Sequence, residues 1–308
     1  MQLRFADLNF DAQFRSDGIL PSFRGTTLRG AFGFMLKKTM CHITGQRCQD
    51  CILQTRCAYP VVFEGVPPED RTFMRKYAAI PQPLVLNVDC PTPTAVRAGQ
   101  PLRFGVRLLG PAADLFPFVV YAVLRMGEAG LGRDRVPFEI RSVSDGLEEV
   151  YQKGDHGIRA PRVRCVGIQG KPCPATRVRL QMHTPLRVRV DGHLTPTLSV
   201  QALLRAAIRR FRILTYFYGQ PDGPSDLSSL FAQADAARIV EDHLGWMDLC
   251  RFSSRQREPM KLGGVVGHLV LDLPPGQLLE WFRVAEAVHL GKATSFGFGR
   301  IACEELKE

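Results

Sequence analysis

The chain has 308 residues, and its 45% hydrophobic and 23% charged content is typical of one large or two ordinary folded domains, which excludes a disordered chain. The start lacks the pattern of a secretion signal, and no apolar run is long enough to cross a membrane, so we expect a soluble, intracellular protein. The net charge of +10, with 32 arginines and 8 lysines, favours a phosphate-bearing partner because guanidinium groups bind phosphate through paired hydrogen bonds. A GC-rich genome would also enrich arginine, so the placement of the arginines decides between the two explanations.

The first half of the chain predicts the order strand, helix, two strands, helix, glycine turn and strand. Residues 1–10 alternate between apolar and polar side chains, as a half-buried strand does. The later elements are expected at 26–40 (helix), 83–89 and 101–110 (strands), 116–126 (helix), 130–133 (a Gly-Leu-Gly-Arg turn) and 136–143 (strand). This order is the βαββαβ plan of ferredoxin-like domains.

The second half predicts the same order. Its elements are expected at 176–190 (strands), 199–214 (a helix opened by Ser199), 260–273 (a middle hairpin), 277–288 (helix), 297–300 (a Gly-Phe-Gly-Arg turn) and 300–306 (strand). One glycine turn after a helix is common, but two in the same topological position favour a duplication. We therefore predict an α+β protein of tandem ferredoxin-like, RRM-like domains at 1–176 and 177–308, joined by a linker at 172–177.

Four of the nine cysteines cluster within residues 41–57, as an insertion in the first domain: Cys41, Cys48, Cys51 and Cys57. Two residues separate the middle pair, a spacing that presents both sulfurs to one ion. Four thiolates suit tetrahedral zinc, and an iron–sulfur cluster is the rival because it also takes four cysteines. We expect a structural zinc ion, with four reduced thiols as the remaining alternative.

Basic side chains recur on one face of several predicted elements. Arg187 and Arg189 alternate with apolar residues in a strand, so that one strand face packs and the other is basic. A helical stripe follows, which we interpret as solvated surface, at Arg205, Arg209 and Arg212. The segment RFSSRQR mixes arginines with neutral donors, which suits an RNA backbone with its 2′-hydroxyls.

Several of these stretches are shared with a known family. They are LPSFRGTTLRGAFGFML, the cysteine cluster ending in CAYPVVFE, GLGR, HTPLRVR, RFSSRQ, LGGVVG and, most specifically, HLGKATSFGFGR at 289–300. Through them the chain resembles the CRISPR-associated endoribonucleases that cut precursor CRISPR RNA, the Cas-six branch of the repeat-associated mysterious protein (RAMP) superfamily. The resemblance implies two ferredoxin-like domains, a cytoplasmic prokaryotic location, CRISPR repeat RNA or crRNA as partner, and association with other CRISPR effector subunits.

The resemblance also implies that the loop at 289–300 contacts RNA. Glycines allow main-chain amides to approach phosphate closely because no Cβ stands in the way. The structural alternative is that the glycines serve a tight turn between helix and strand. The expected RNA-binding residues are Gly291, Lys292, Gly297, Gly299 and Arg300 of the loop, with Arg187, Arg189, Arg251, Arg255 and Arg257.

The implied reaction is metal-independent attack of a ribose 2′-hydroxyl on the adjacent phosphate, which leaves a 2′,3′-cyclic phosphate, and the enzyme can then retain the crRNA. Histidine suits the base because its pKa lies near neutrality. Family members place this histidine at or just after the first helix, which selects His42, with Lys37 and Lys38 as partners. His289 is the second candidate and His183 the third.

Two other functions stay open. A non-catalytic RAMP subunit would bind crRNA through the same glycine loop without cutting it. A zinc-dependent DNA-binding factor would prefer duplex DNA, although the sequence has no recognition-helix motif. A cleavage assay on repeat RNA distinguishes the enzyme from both.

Overall fold

The computed structural model describes residues 1–43, 45–68, 70–75, 80–224, 226–253 and 258–306, with the backbone alone described at 250–253 and 258–261. The chain divides into two compact units. The N-terminal unit is Arg4–Arg164, and the C-terminal unit is Cys165–Glu308 together with Met1–Leu3. Within the described ranges, no helix has the length and apolar character needed to span a bilayer. The predicted boundary at residue 176 stays a prediction.

The strands that lie wholly or partly in the N-terminal unit are β1 (Gln2–Phe14), β2 (Gly18–Ile19), β3 (Leu84–Asn87), β4 (Ala95–Val96), β5 (Pro101–Leu109), β6 (Phe138–Ser144), β7 (Glu149–Gln152) and β8 (Val163–Gly167). Its α-helices are α1 (Gly25–Met40) and α2 (Phe116–Ala129), which pack against each other. Short helical turns lie at Cys48–Asp50, Pro60–Glu64 and Gly110–Leu115. These elements confirm the predicted strands and helices of the first half.

The main N-terminal sheet is antiparallel and has the strand order β3-β5-β1-β6-β7, while β8 pairs with β1 outside this path. β1 is central, and its register places Phe10 opposite Phe104 of β5 and Val143 of β6. The rings of Phe10 and Phe104 are stacked with centroids 5.0 Å apart. Such a pair adds about 1 kcal/mol to the free energy gained by burying the two rings.

The strands of the C-terminal unit are β9 (Thr176–Leu186), β10 (Arg189–Val190), β11 (His193–Leu194), β12 (Arg238–Met247), β13 (Cys250–Ser253), β14 (Glu258–Lys261), β15 (Gly264–Leu273) and β16 (Ile301–Leu306). Its α-helices are α3 (Val200–Tyr218), α4 (Ser228–Ala236) and α5 (Leu278–Val288), and a short helical turn lies at Thr294–Phe296. The antiparallel order β12-β15-β9-β16 again places the first strand of the unit inside the sheet.

Helices α3 and α5 pack against each other in the core of the C-terminal unit. The buried rings of Phe211 and Trp281 meet edge to face with centroids 6.4 Å apart. The predicted cap of α3 is confirmed, because the Ser199 hydroxyl accepts a hydrogen bond from the Ala202 amide at 3.1 Å. Each unit is thus a mixed α/β structure with an antiparallel sheet.

The predicted middle hairpin at 260–273 is wrong in its first strand. β15 forms as expected, but it pairs with β12, whereas Met260 and Lys261 belong to a separate small hairpin of β13 and β14. β12 lies at the sheet edge and is exposed along most of its length. An edge strand exposed in this way has no apolar alternation, so the sequence pattern did not reveal it.

Candidate nucleic-acid interface

The glycine-rich loop at 289–300 connects α5 to β16, and glycine is required at two of its positions. Gly291 and Gly299 have φ values of 79° and 69°, in the left-handed region. A Cβ at Gly291 would overlap the carbonyl oxygen of Arg187, and a Cβ at Gly299 would overlap that of Leu290. The main chain therefore approaches itself more closely here than any other residue type permits.

Hydrogen bonds fix the loop to the end of β9. The buried Thr184 hydroxyl donates to the Gly297 carbonyl at 2.7 Å and accepts from the Arg300 amide at 2.9 Å. The Lys292 amide donates to the Arg187 carbonyl at 3.0 Å. The loop and the β9 end therefore behave as one main-chain assembly, and Gly297 and Gly299 serve the turn.

Two half-exposed residues of the loop offer amides for a ligand. The amides of Gly291 and Ala293 have no acceptor within the described part of the chain. Both residues have positive φ, and main-chain amides in such turns form concave anion sites. Gly291 combines this amide with the close approach to Arg187, so it serves the turn and also offers a main-chain donor.

Four cationic side chains converge beside the loop: Arg187, Arg189, Arg209 and Lys292. Burial first, and then the charges of Arg189, Arg209 and Arg187, lower the pKa of Lys292. Burial and the charge of Arg189 likewise lower the pKa of Arg187. The charges that shift these pKa values are all positive, so the cluster repels itself and favours an anion.

Only one arginine of the α3 stripe belongs to this cluster. Arg209 lies near enough to lower the pKa of Lys292, whereas the Arg205 guanidinium lies 4.4 Å from the ring centroid of Phe231. Arg212 donates to the Pro224 carbonyl at 2.6 Å. All three arginines of the stripe are exposed, as the interpretation of a solvated surface predicts, and Arg209 also lies near Lys292, which is distant in sequence.

The other predicted RNA-binding residues are placed as follows. Arg300 is half-buried at the end of the loop, immediately before β16, and its carbonyl accepts a hydrogen bond from the His183 amide at 2.8 Å. Arg251 lies in β13 with its backbone alone described. Arg255 and Arg257 lie outside the described residues.

His289, the first residue of the glycine loop, is buried rather than presented to solvent. Its side chain is 1% exposed, and Nδ1 lies 3.1 Å from the Phe298 carbonyl oxygen. Its φ of 57° is unusual for a residue with a Cβ and marks the sharp exit from α5. This burial suits a support for the loop, while His183 is exposed at the end of β9.

The three first-choice catalytic candidates lie at the end of α1. The helix ends at Met40, so the exposed His42 does not continue its face. The Lys37 ammonium lies 5.3 Å from the ring centroid of Tyr59, and Lys38 is exposed. The helical spacing that would pair His42 with the lysines therefore stops two residues before the histidine.

The cysteine cluster brings several thiols near each other. Burial first, then Glu64, Cys41 and Cys57, raise the pKa of Cys48, while Lys37 opposes them. The helical turn at Cys48–Asp50 separates the middle pair. No three of the four sulfur atoms, all within the described residues, lie within 4.8 Å of one another. The donor set suits zinc, but the side chains must close around the ion.

Comparisons with known proteins agree with this architecture. A family model described as CRISPR-associated endoribonuclease Cas6 matches residues 180–301, which include the loop, and a model described as an N-terminal domain matches residues 3–163. No curated protein sequence matches the chain. The C-terminal part of the chain, residues 180–301, therefore matches the Cas6 family.

Solved structures with similar folds come from Cas6 proteins. A partial Cas6-RT-Cas1--Cas2 complex has a TM-score of 0.59 at 13% identity, over 99% of this chain and 47% of that chain. Thermus thermophilus Cas6 has a TM-score of 0.55 at 11% identity, over 99% of both chains. A Cas6 product complex has a TM-score of 0.52 at 18% identity, over 99% of this chain and 100% of that chain. The chain thus spans about half of the first of these neighbours.

We predict that Gly299→Ala destabilises the C-terminal unit by at least about 1 kcal/mol, because alanine in the left-handed region is strained and its Cβ meets the Leu290 carbonyl. Thermal unfolding measures the effect as a midpoint lowered by several degrees. Gly245→Ala is the control, since a Cβ there has nothing within 4 Å. Equal thermal midpoints for the two variants would contradict the conclusion that position 299 requires glycine.

Proposed function

We propose that the protein is an endoribonuclease that binds CRISPR repeat RNA and cleaves precursor crRNA. The observation that carries this proposal is the cationic cluster beside the glycine loop, within the residues that the Cas6 model matches. A phosphodiester strand would relieve the repulsion between these side chains and release counterions. The match of residues 180–301 to an endoribonuclease family supports RNA, rather than another polyanion, as the ligand.

We further propose that each unit is a ferredoxin-like domain. In the N-terminal sheet the order β3-β5-β1-β6 places the first strand between the third and the last of the βαββαβ plan. The order β12-β15-β9-β16 repeats this arrangement in the C-terminal sheet. The small strands β10, β11, β13 and β14 are additions between the core elements.

RNA binding in this proposal combines main-chain and side-chain contacts. The amides of Gly291 and Ala293 donate to phosphate oxygens, and Lys292, Arg187 and Arg189 supply positive charge. These contacts are made to the sugar–phosphate backbone of the RNA, so they position the RNA strand and do not recognise its base sequence. The proposed function also implies a cytoplasmic location in a prokaryote and other CRISPR subunits as partners.

The proposed reaction needs one base and no metal ion. His42 removes the proton of a ribose 2′-hydroxyl, and the freed oxygen forms a bond to the adjacent phosphorus. The bond from phosphorus to the 5′-oxygen breaks, and that oxygen takes a proton, so the products are a 2′,3′-cyclic phosphate and a 5′-hydroxyl. Lys37 and Lys38 stabilise the charge that develops on the phosphate, and the enzyme retains the crRNA.

The exposure of His42 supports this assignment, because a catalytic base must be accessible to the RNA that binds from solution. His289 stays the second candidate, although its burial requires the loop to open first. The alternative function is a non-catalytic subunit that binds crRNA through the same loop.

Binding depends on Arg209, and we predict that Arg209→Ala and Lys292→Ala each weaken RNA affinity roughly tenfold, as the loss of one charged hydrogen bond does. Each change also lowers the dependence of log affinity on log salt by about 0.7, the value for one single-strand phosphate contact. Fluorescence anisotropy with labelled repeat RNA measures both quantities. Arg212→Ala, on the same helix but bonded to Pro224, is the matched control. Equal losses for Arg209→Ala and Arg212→Ala would exclude Arg209 from the interface.

Cleavage depends on His42, and we predict that His42→Ala abolishes cutting in EDTA while RNA affinity changes little, because the histidine supplies a proton acceptor and few contacts. A repeat RNA with a 2′-deoxy substitution at the cut site should be bound and left intact. Normal turnover by His42→Ala would remove this residue from the site. An unmodified repeat that survives the wild-type protein would establish the non-catalytic subunit instead.

The cysteines form a structural zinc site in this proposal, with no part in cleavage. We predict that protein reconstituted with Co²⁺ shows thiolate-to-cobalt charge-transfer absorption in the near ultraviolet, and that Cys48→Ser reduces it. Cys165→Ser is the control because Cys165 is exposed and lies in β8. Broad visible absorption of the purified protein would indicate an iron–sulfur cluster instead of zinc. The absence of a thiolate-to-cobalt band would indicate that the four cysteines are reduced thiols that bind no metal.

A further inference from the structure

Two histidines face each other across the outer strands of the C-terminal sheet. The register of β12 and β15 places His243 directly opposite His268. Their ring centroids are 4.7 Å apart, and the ring planes are tilted by 32°. Directly opposite residues project from the same face of a sheet, so both rings lie on one side.

A carboxylate completes the group. Glu241 lies two residues before His243, and therefore on the same face of β12. Its Oε2 lies 3.3 Å from Nε2 of His243. One ligand atom from each of Glu241, His243 and His268 lies within 4.8 Å of the other two, and this is the one such group of three among the described residues.

Irregularities in both strands aim these side chains. The pairing of β12 with β15 shifts between Ile239 and Glu241, immediately before the carboxylate. The pairing of β15 with β9 shifts between Val265 and Gly267, immediately before His268. Gly267 has a φ of 109°, and a Cβ there would overlap the carbonyl oxygen of His243. Bulges of this kind re-aim side chains and are common beside functional sites.

The group can close around an ion without rearranging the fold. The side chains of His243 and Glu241 are 59% and 51% exposed, so they can rotate freely. Zinc–nitrogen and zinc–oxygen distances of about 2.0–2.2 Å require ligand atoms roughly 3.3 Å apart in a tetrahedron. The separation of His243 and Glu241 already equals this value, and His268 needs only a small movement.

We propose that Glu241, His243 and His268 bind one divalent transition-metal ion, for which Zn²⁺ is the probe. Imidazole and carboxylate ligands suit zinc, and three protein ligands leave a fourth position for water. The ion links the edge strand β12 to β15, so it stabilises an edge that is otherwise held by main-chain pairing. The site is separate from the cysteine cluster in sequence and in ligand type.

Titration of the full chain with Zn²⁺, followed through the side-chain ¹H–¹⁵N resonances of its seven histidines, tests the proposal. Reading imidazoles directly avoids interference from zinc bound by cysteines. We expect the resonances of two imidazole rings to shift together as Zn²⁺ is added. The spectra of His243→Ala and His268→Ala, each of which lacks one of these resonances, should assign them. Each of these variants, and Glu241→Gln, should weaken the zinc affinity of this site at least about tenfold, since even changes to residues that merely support metal ligands cost that much.

His193→Ala is the control, because His193 is exposed and lies in β11 of the same unit. This variant should leave the two shifts and their affinity unchanged. Zinc should also raise the thermal midpoint of the wild type more than that of His243→Ala, because an ion that binds the folded state stabilises it. Unshifted His243 and His268 resonances at saturating Zn²⁺, or equal affinity in the wild type and Glu241→Gln, would overturn the proposal.

Discussion

The close main-chain contact between the glycine loop and the end of β9 is the constraint on which the candidate interface depends. Gly291 meets the Arg187 carbonyl and Gly299 meets the Leu290 carbonyl at distances that exclude a Cβ. The buried Thr184 hydroxyl bonds both to the loop and to the start of β16. These contacts hold Lys292 beside Arg187, so the glycines place the charges as well as permitting the turn.

The cationic cluster costs the folded protein free energy. Burial and mutual repulsion lower the pKa values of Lys292 and Arg187, which means that the environment disfavours their charged forms. No acidic group is among the charges that shift these values, whereas Arg177 elsewhere in the sheet is paired with Asp272 at 2.6 Å. An anion that neutralises the cluster removes this cost, so under the proposed function the repulsion between these side chains becomes a source of affinity.

The sequence predicts elements whose apolar spacing is regular and fails where contacts depend on register. The helices α3 and α5 bury one face each, and β1 alternates between apolar and polar side chains, so the periodicity of these elements marks them without a structure. β12 is an exposed edge, and its sequence has no regular alternation of apolar and polar side chains that would distinguish it from a loop. The pairing of His243 with His268, like that of Arg209 with Lys292, joins residues far apart in the chain. Single-chain patterns carry no information on such pairs, because they arise only when strands and helices assemble.

Photo-crosslinking of repeat RNA that carries 4-thiouridine, followed by mass spectrometry of the crosslinked peptides, tests the location of the interface most directly. The account predicts crosslinks in peptides that contain the loop at 289–300 and the β9–β10 segment at 183–190. Competition by unlabelled repeat RNA should remove them. Crosslinks confined to peptides that contain none of Arg187, Arg189, Arg209 and Lys292 would contradict the account.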